Sequence, residues 1–248
     1  MSSDLVLLVV GAVIAGFVQG VSGFAFGMVA MSFWVWGFEP RLASVLVVFG
    51  ALIGQLTAVV SVKRSLRLDS LAPYLAGGMI GIPIGVLVLP YLNPNVFKLV
   101  LGFVLSVCCP IMLFSRKLPR ITSGGCVADA VAGAAGGFMG GIGGITGAIP
   151  TLWCALRGLE KEHQRAIIQN FNLATLSVTM AAYVATGLVT RDMLPLLPVV
   201  AIALVVPALL GARVYAGLGQ EGFRKIVLGL LSLSGLAMLS ASIAKMLA

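Results

Sequence analysis

The chain has 248 residues, 60% hydrophobic and only 10% charged, with a mean hydropathy of +1.11. Such a mixture leaves too little polar surface to cover a water-soluble fold, so lipid must do the covering and a soluble enzyme or binding module is excluded. The net charge of +8 would suggest nucleic acid in a soluble protein, but the basic residues sit in short loops between apolar blocks and form no extended basic face.

Uncharged stretches run over 5–38, 42–62, 70–97, 99–115, 130–156, 166–190, 193–212 and 226–244. Most can span roughly 30 Å of hydrocarbon as a helix. Met1 to Asp4 carries no basic residue and no small-residue cleavage site follows, so the first block reads as a membrane element and not as a signal peptide. That block, 5–36, is unusually long and is interrupted near Gln19 to Gly23; Trp34 and Trp36 fall where aromatic rings favour the membrane interface. The second block holds Gln55 and Thr57, the third Pro83, and the fourth Cys108 and Cys109, which read with Cys126 and Cys154 as small buried hydrophobes without metal-ligand spacing. The fifth, 124–157, is again long and broken, near Gly140 to Gly144, with Thr146 just beyond. Gln169, Asn170 and Asn172 lie in the sixth block and Pro207 in the seventh.

The run Gly16-Phe17-Val18-Gln19-Gly20-Val21-Ser22-Gly23 returns as Gly137-Phe138-Met139-Gly140-Gly141-Ile142-Gly143-Gly144, displaced by 121 residues, and Glu39 and Glu160 keep that displacement. Lys98 to Gly102 matches Lys225 to Gly229 at 127. Three ordered matches point to duplication, with a first membrane repeat at 1–120 and a second at 121–248. Eight single crossings would divide the basic residues evenly between the two faces. If each long broken block is instead a pair of short helices that returns to its own side, 12 of the 16 basic residues share one compartment, leaving Arg41, Lys98, Arg191 and Lys245 opposite. The positive-inside bias therefore selects hairpins, with both termini outside. Each half then makes an odd number of passes, so the second repeat is inverted. The fold class is an all-α polytopic membrane protein of two five-segment halves forming one transport domain, with eight conventional transmembrane helices as the alternative.

Backbone outside helices is tolerated at membrane depth only where protein or water surrounds it, so both breaks belong at the centre of the bundle. The returning arm of each hairpin starts there, and two helix N-termini meeting from opposite faces would cradle an anion without a buried lysine or arginine. The candidate substrate-binding residues are Gln19, Gly20, Ser22 and Gly23 at the first break, Gly141, Gly143, Gly144 and Thr146 at the second, and Gln55, Gln169, Asn170 and Asn172 in the helices that follow. For the polar residues the competing reading is an interhelical hydrogen bond with no ligand. For the glycines it is close helix packing. Asp129 reads as an interfacial network residue and Arg165 as a positive-inside anchor that could also draw an anion to the cytoplasmic mouth.

The two glycine-rich runs, with Pro150 to Arg157 and the helix Arg165 to Asn172, resemble the TauE/SafE family of sulfite and organosulfonate permeases over essentially the whole chain. The resemblance implies a small multi-pass transporter of the prokaryotic plasma membrane, the cell inner membrane in a Gram-negative organism, carrying sulfite, sulfoacetate or another sulfonate. Ser22 and Gln19 stand where the second copy has Gly143 and Gly140, so the site is expected to be asymmetric.

The leading expectation is a secondary transporter that moves a small sulfur anion by alternating access. An anion channel, or a carrier for another small organic anion such as a carboxylate, is the alternative. No P-loop, nucleophile and base set or metal cluster is legible, so no ATP use, catalysis, metal or cofactor is expected. Membrane lipid is the other expected partner, a homodimer is compatible with the glycine-rich faces, and no residue pattern assigns a coupling ion.

Overall fold

Ten helices are seen among the described residues, in the order long, short, long, long, long, and then the same again. They are α1 (Ser2–Ser22), α2 (Phe26–Trp34), α3 (Pro40–Ser61), α4 (Leu68–Val88), α5 (Pro94–Phe114), α6 (Gly125–Gly143), α7 (Ala148–Leu156), α8 (Lys161–Ala185), α9 (Leu196–Gly217) and α10 (Gln220–Leu247). The computed structural model describes residues 2–61, 68–114, 120–121, 123–217 and 220–247; of the loop cations assigned to the shared compartment, Lys63, Arg64, Arg67, Arg116 and Lys117 lie outside them. No strand occurs among the described residues, and seven helices are long and apolar enough to cross a membrane: α1, α3, α4, α5, α6, α9 and α10. The 25-residue α8 opens with Lys161, Glu162, His163 and Arg165 and becomes apolar only afterwards. The protein is an all-α polytopic membrane protein.

Each broken block is a hairpin of unequal arms. The first arms, α1 and α6, have 21 and 19 residues, whereas the return arms, α2 and α7, have nine each. At 1.5 Å per residue these are roughly 30 Å against roughly 13 Å. Only the return arms are short, because both breaks fall late in their apolar blocks. In the first hairpin Trp34 Nε1 donates to Leu7 O at 3.3 Å. In the second, Trp153 Nε1 donates to Asp129 Oδ1 at 2.7 Å and Ile121 N to Leu156 O at 3.0 Å. Each return arm thus finishes beside the start of its own first arm, which a block that crossed only once would not do.

The loops gather at two ends. At one, Lys98 Nζ lies 4.6 Å from the Trp36 ring centroid, and Arg41 donates to the carbonyls of Gly187 and Leu188 at the C-terminus of α8, where a cation is favoured. The other end holds Tyr74, Asp129 and Arg157.

Helix association within lipid has no hydrophobic driving force, so close contact through small residues takes its place. A Cβ at Gly77, Gly81 or Gly85 of α4 would sit 1.8, 2.0 or 2.3 Å from the carbonyl oxygens of Ala130, Ala134 and Phe138 on α6. Likewise a Cβ at Gly16 or Gly20 of α1 would lie 2.7 or 2.1 Å from those of Leu204 and Ala208 on α9. The contacts are reciprocal: α1 packs on α9 and α6 on α4, α3 on α9 and α8 on α4, α2 on α10 and α7 on α5, while α5 pairs with α10 and α3 with α8. Fully buried aromatic residues, among them Phe26, Trp34, Phe97, Phe171 and Tyr183, fill the space between.

Candidate functional site

α1 and α6 end by the same device. Gly23 and Gly144 adopt left-handed backbone, at φ 84° and 68°, and donate their N–H groups to Gln19 O at 2.7 Å and Gly140 O at 2.8 Å. Glycine takes this conformation without a Cβ penalty, which is why both apolar runs stop at corresponding places. The two breaks touch: a Cβ on Gly27 would lie 2.4 Å from Gly144 O, and one on Gly147 3.2 Å from Phe24 Cβ. Their short return helices therefore start side by side in the interior.

The surroundings of the two breaks differ. Beside the first lies a cleft lined by Gln19, Gly20 and Gly23 of α1, Gly54, Thr57 and Ala58 of α3, Arg165 and Gln169 of α8, and Ala208, Leu209 and Ala212 of α9. Its empty volume is about 300 Å³ including the open mouth, but the enclosed part has room for about one water molecule. Gln19 and Gln169 are 3% and 2% exposed. Gln19 Nε2 donates to Ala51 O at 3.1 Å, leaving Gln19 Oε1 buried with no partner, and Gln169 Nε2 is likewise buried with none. An unsatisfied buried polar atom costs about 1–3 kcal/mol, so two at one cleft are a standing incentive to bind something polar. Arg165 brings a positive charge, and no carboxylate is among the lining residues, which makes the cleft suited to an anion.

Around the second break, hydrogen bonds and apolar side chains close the space. Tyr183 Oη donates to Gly141 O at 2.7 Å, and Ser44 Oγ lies 2.7 Å from Ile142 O. A Cβ on Gly144 would meet Val47 Cγ1 at 2.7 Å and Val48 Cγ2 at 3.1 Å.

The two breaks and the cleft lie within a stretch that matches a known family. Residues 8–238 match the family described as sulfite exporter TauE/SafE. The chain belongs to that family. It is accordingly a multi-pass membrane transporter from a family of sulfur-anion carriers. No curated protein and no solved structure matches the chain.

The sequence-derived candidates of this TauE/SafE protein divide by position. Gln19, Gly20, Gly23 and Gln169 are brought together at the cleft. Gly20 also packs closely on α9, where a Cβ would lie 2.1 Å from Ala208 O. Gln55 supports the break from behind, its Nε2 donating to Gly23 O at 2.8 Å. Ser22 Oγ accepts from Ala25 N at 3.1 Å and lies 3.4 Å from Phe24 N, satisfying backbone donors of the turn. Thr146 Oγ1 donates to Asn172 Oδ1 at 2.8 Å, fastening the second break to α8, and Asn170 Nδ2 donates to Ala166 O, one turn back on its own helix, at 2.9 Å. Gly141 packs on Ile82 of α4, and Gly143 faces Met31 of α2. Gly54 and the α9 residues Ala208, Leu209 and Ala212 were not legible as site residues. The one retrospective signal is at Gly54, where a Cβ would meet Gln19 Nε2 at 2.3 Å, so only glycine leaves space for that amide.

A second polar cluster lies at the far end of the second hairpin. Asp129 is 7% exposed, and its Oδ1 accepts from Tyr74 Oη at 3.0 Å, Trp153 Nε1 at 2.7 Å and Arg157 Nη1 at 2.7 Å. The same guanidinium nitrogen reaches Oδ2 at 2.6 Å. This cluster clasps the end of α7 to the start of α6 and to α4.

Proposed function

We propose that this chain is a secondary transporter that carries sulfite or an organosulfonate such as sulfoacetate across a prokaryotic plasma membrane by alternating access. The observation that carries the reading is the pair of buried, partly unpartnered amides, Gln19 and Gln169, beside Arg165 at the first helix break. Neutral amides with a single guanidinium bind an anion and still let it go, which a carrier requires. A cleft with so little enclosed room favours a carrier over an open anion channel.

Alternating access rests on residues 1–120 and 121–248 being inverted repeats. The reciprocal helix partners support this, and so does a pair of corresponding contacts: Gln169 against Gly23, and Val48 against Gly144, each pair displaced by 121 residues from the other. If the halves exchange arrangements, the space beside Gly23 closes while a counterpart opens beside Gly144, between α3, α4, α6 and α8. With the positive-inside rule, the open cleft faces the cytoplasm and both termini lie outside.

Two measurements test these statements. Labelled sulfite or sulfoacetate should enter proteoliposomes saturably and with countertransport. Gln169→Leu should cut uptake by about tenfold or more, the loss of a hydrogen bond to a charged group, and Asn170→Leu should leave it near the unmodified rate, because that amide serves its own helix. No uptake of either compound under inward or outward gradients would sink the assignment. For orientation, impermeant labels on single cysteines in a cysteine-free background should reach 37–40 from outside and 158–161 from inside. A reversed pair would invert the topology.

A further inference from the structure

Resting on the transporter reading above and narrowing it from organosulfonates to sulfite, the geometry points to an anion that carries its own proton: the cleft selects a monoanion with an O–H on its head group, such as hydrogensulfite, over the fully deprotonated oxyanion. The orientation of Gln19 decides this. Its Nε2 donates to Ala51 O at 3.1 Å; turned over, the amide would set its oxygen against that carbonyl oxygen, two acceptors facing each other. The same nitrogen is packed against Gly54, where a Cβ would lie 2.3 Å from it. The Gln19 oxygen is therefore committed to the cleft, buried, unpartnered and able only to accept.

An oxyanion without a proton offers acceptors alone. It would satisfy Gln169 Nε2 beside Arg165, but it would press a lone pair against Gln19 Oε1, an acceptor that would still have nothing to accept. A head group with one O–H and two or more bare oxygens matches the whole set, donating to Gln19 and accepting from Gln169. The second repeat has no such acceptor: Gly140 stands at the position corresponding to Gln19, and a Cβ there would meet Thr146 Cγ2 at 2.4 Å. Proton recognition is thus a property of the first break alone. Sites built to bond a ligand's hydroxyl reject the analogue lacking it by factors of about ten thousand or more in favourable cases.

The test follows initial uptake of labelled sulfite into proteoliposomes at fixed total concentration, with equal pH on both sides, stepped through the hydrogensulfite–sulfite equilibrium, after subtraction of protein-free vesicles. Apart from Arg165, the lining residues from α1, α3, α8 and α9 have no ionisable side chain, so the profile reports the anion. Above the equilibrium, uptake should fall about tenfold per pH unit, following the monoanion. Gln19→Met, which removes the acceptor while keeping the length of the side chain, should flatten that dependence. A second measurement needs no variant. At mildly acidic pH, methylphosphonate monoanion should compete with sulfite at least about tenfold better than methanesulfonate, which has nearly the same shape and charge but no O–H. Equal competition, uptake that follows the dianion, or an unchanged pH profile in folded Gln19→Met would overturn the inference and leave the transporter assignment standing. No sulfite uptake at any pH would overturn both.

Discussion

Gly81→Leu is expected to abolish the folded monomer that survives detergent extraction, with Gly81→Ala substantially destabilised and Gly229→Ala neutral. A Cβ at Gly81 would stand 2.0 Å from Ala134 O and 2.7 Å from Phe138 N, both backbone atoms of α6 that no side-chain rotation can move. Even alanine must therefore push α4 and α6 apart, loosening the neighbouring contacts of Gly77 and Gly85 along the seam. Overpacking of this kind typically costs about 1–3 kcal/mol, and the helix-propensity gain of alanine over glycine, at most about 1 kcal/mol, offsets only part of it. Leucine adds a branched chain that the seam cannot admit. Gly229 lies within α10 with nothing near enough to meet a Cβ, so the same change there tests propensity alone. The measurement is the temperature at which the monodisperse peak is lost in size-exclusion chromatography. Equal behaviour of Gly81→Ala and Gly229→Ala would mean that the seam relaxes freely and is no determinant of the fold.

The seam also explains what the sequence could and could not disclose. A displacement of 121 residues locates both breaks, because a left-handed turn at membrane depth selects glycine and little else will serve at Gly23 and Gly144. Loop charge predicts the hairpins, and the Trp34 contact with Leu7 and the Trp153 contact with Asp129 have the corresponding geometry. Arm length was less legible, since an apolar residue before the break and one after it look alike. The glycine spacing is ambiguous in another way. Gly20 borders the cleft and packs on α9, while Gly141, its counterpart, packs on α4 and has its carbonyl taken by Tyr183, because small residues every three or four positions suit either purpose. Polar side chains divide according to neighbours that only the fold supplies. Thr146 finds Asn172 and Ser22 finds the N–H groups of its own turn, whereas Gln19 and Gln169 meet where their remaining atoms have no partner. The α9 wall of the cleft is alanine and leucine, residue types that carry no chemical signature at all.

Arg157→Met is expected to destabilise the protein by about 3–5 kcal/mol, the usual consequence of leaving a buried charge without its partner. Asp129→Asn should cost less, about 1–3 kcal/mol. The asymmetry follows from exposure. The Asp129 side chain is 10% exposed and that of Arg157 26%, so a widowed guanidinium can turn toward the membrane interface while a widowed carboxylate cannot. Asparagine also keeps an oxygen for Tyr74 Oη and Trp153 Nε1, the two neutral donors of the clasp. Combining both substitutions removes the buried charge along with its partner, so the double variant should be more stable than Arg157→Met alone, and thermal unfolding of the four proteins in one detergent completes the cycle. Transport supplies a second readout. The clasp fixes the far end of α7, whose other end begins at the Gly144 break, but it touches neither Gln19 nor Gln169. Arg157→Met should therefore slow sulfite uptake while leaving the preference among competing anions unchanged. A larger loss for Asp129→Asn than for Arg157→Met would reverse the order, making the widowed Arg157 guanidinium, rather than the widowed Asp129 carboxylate, the costlier group to leave at the end of the second hairpin.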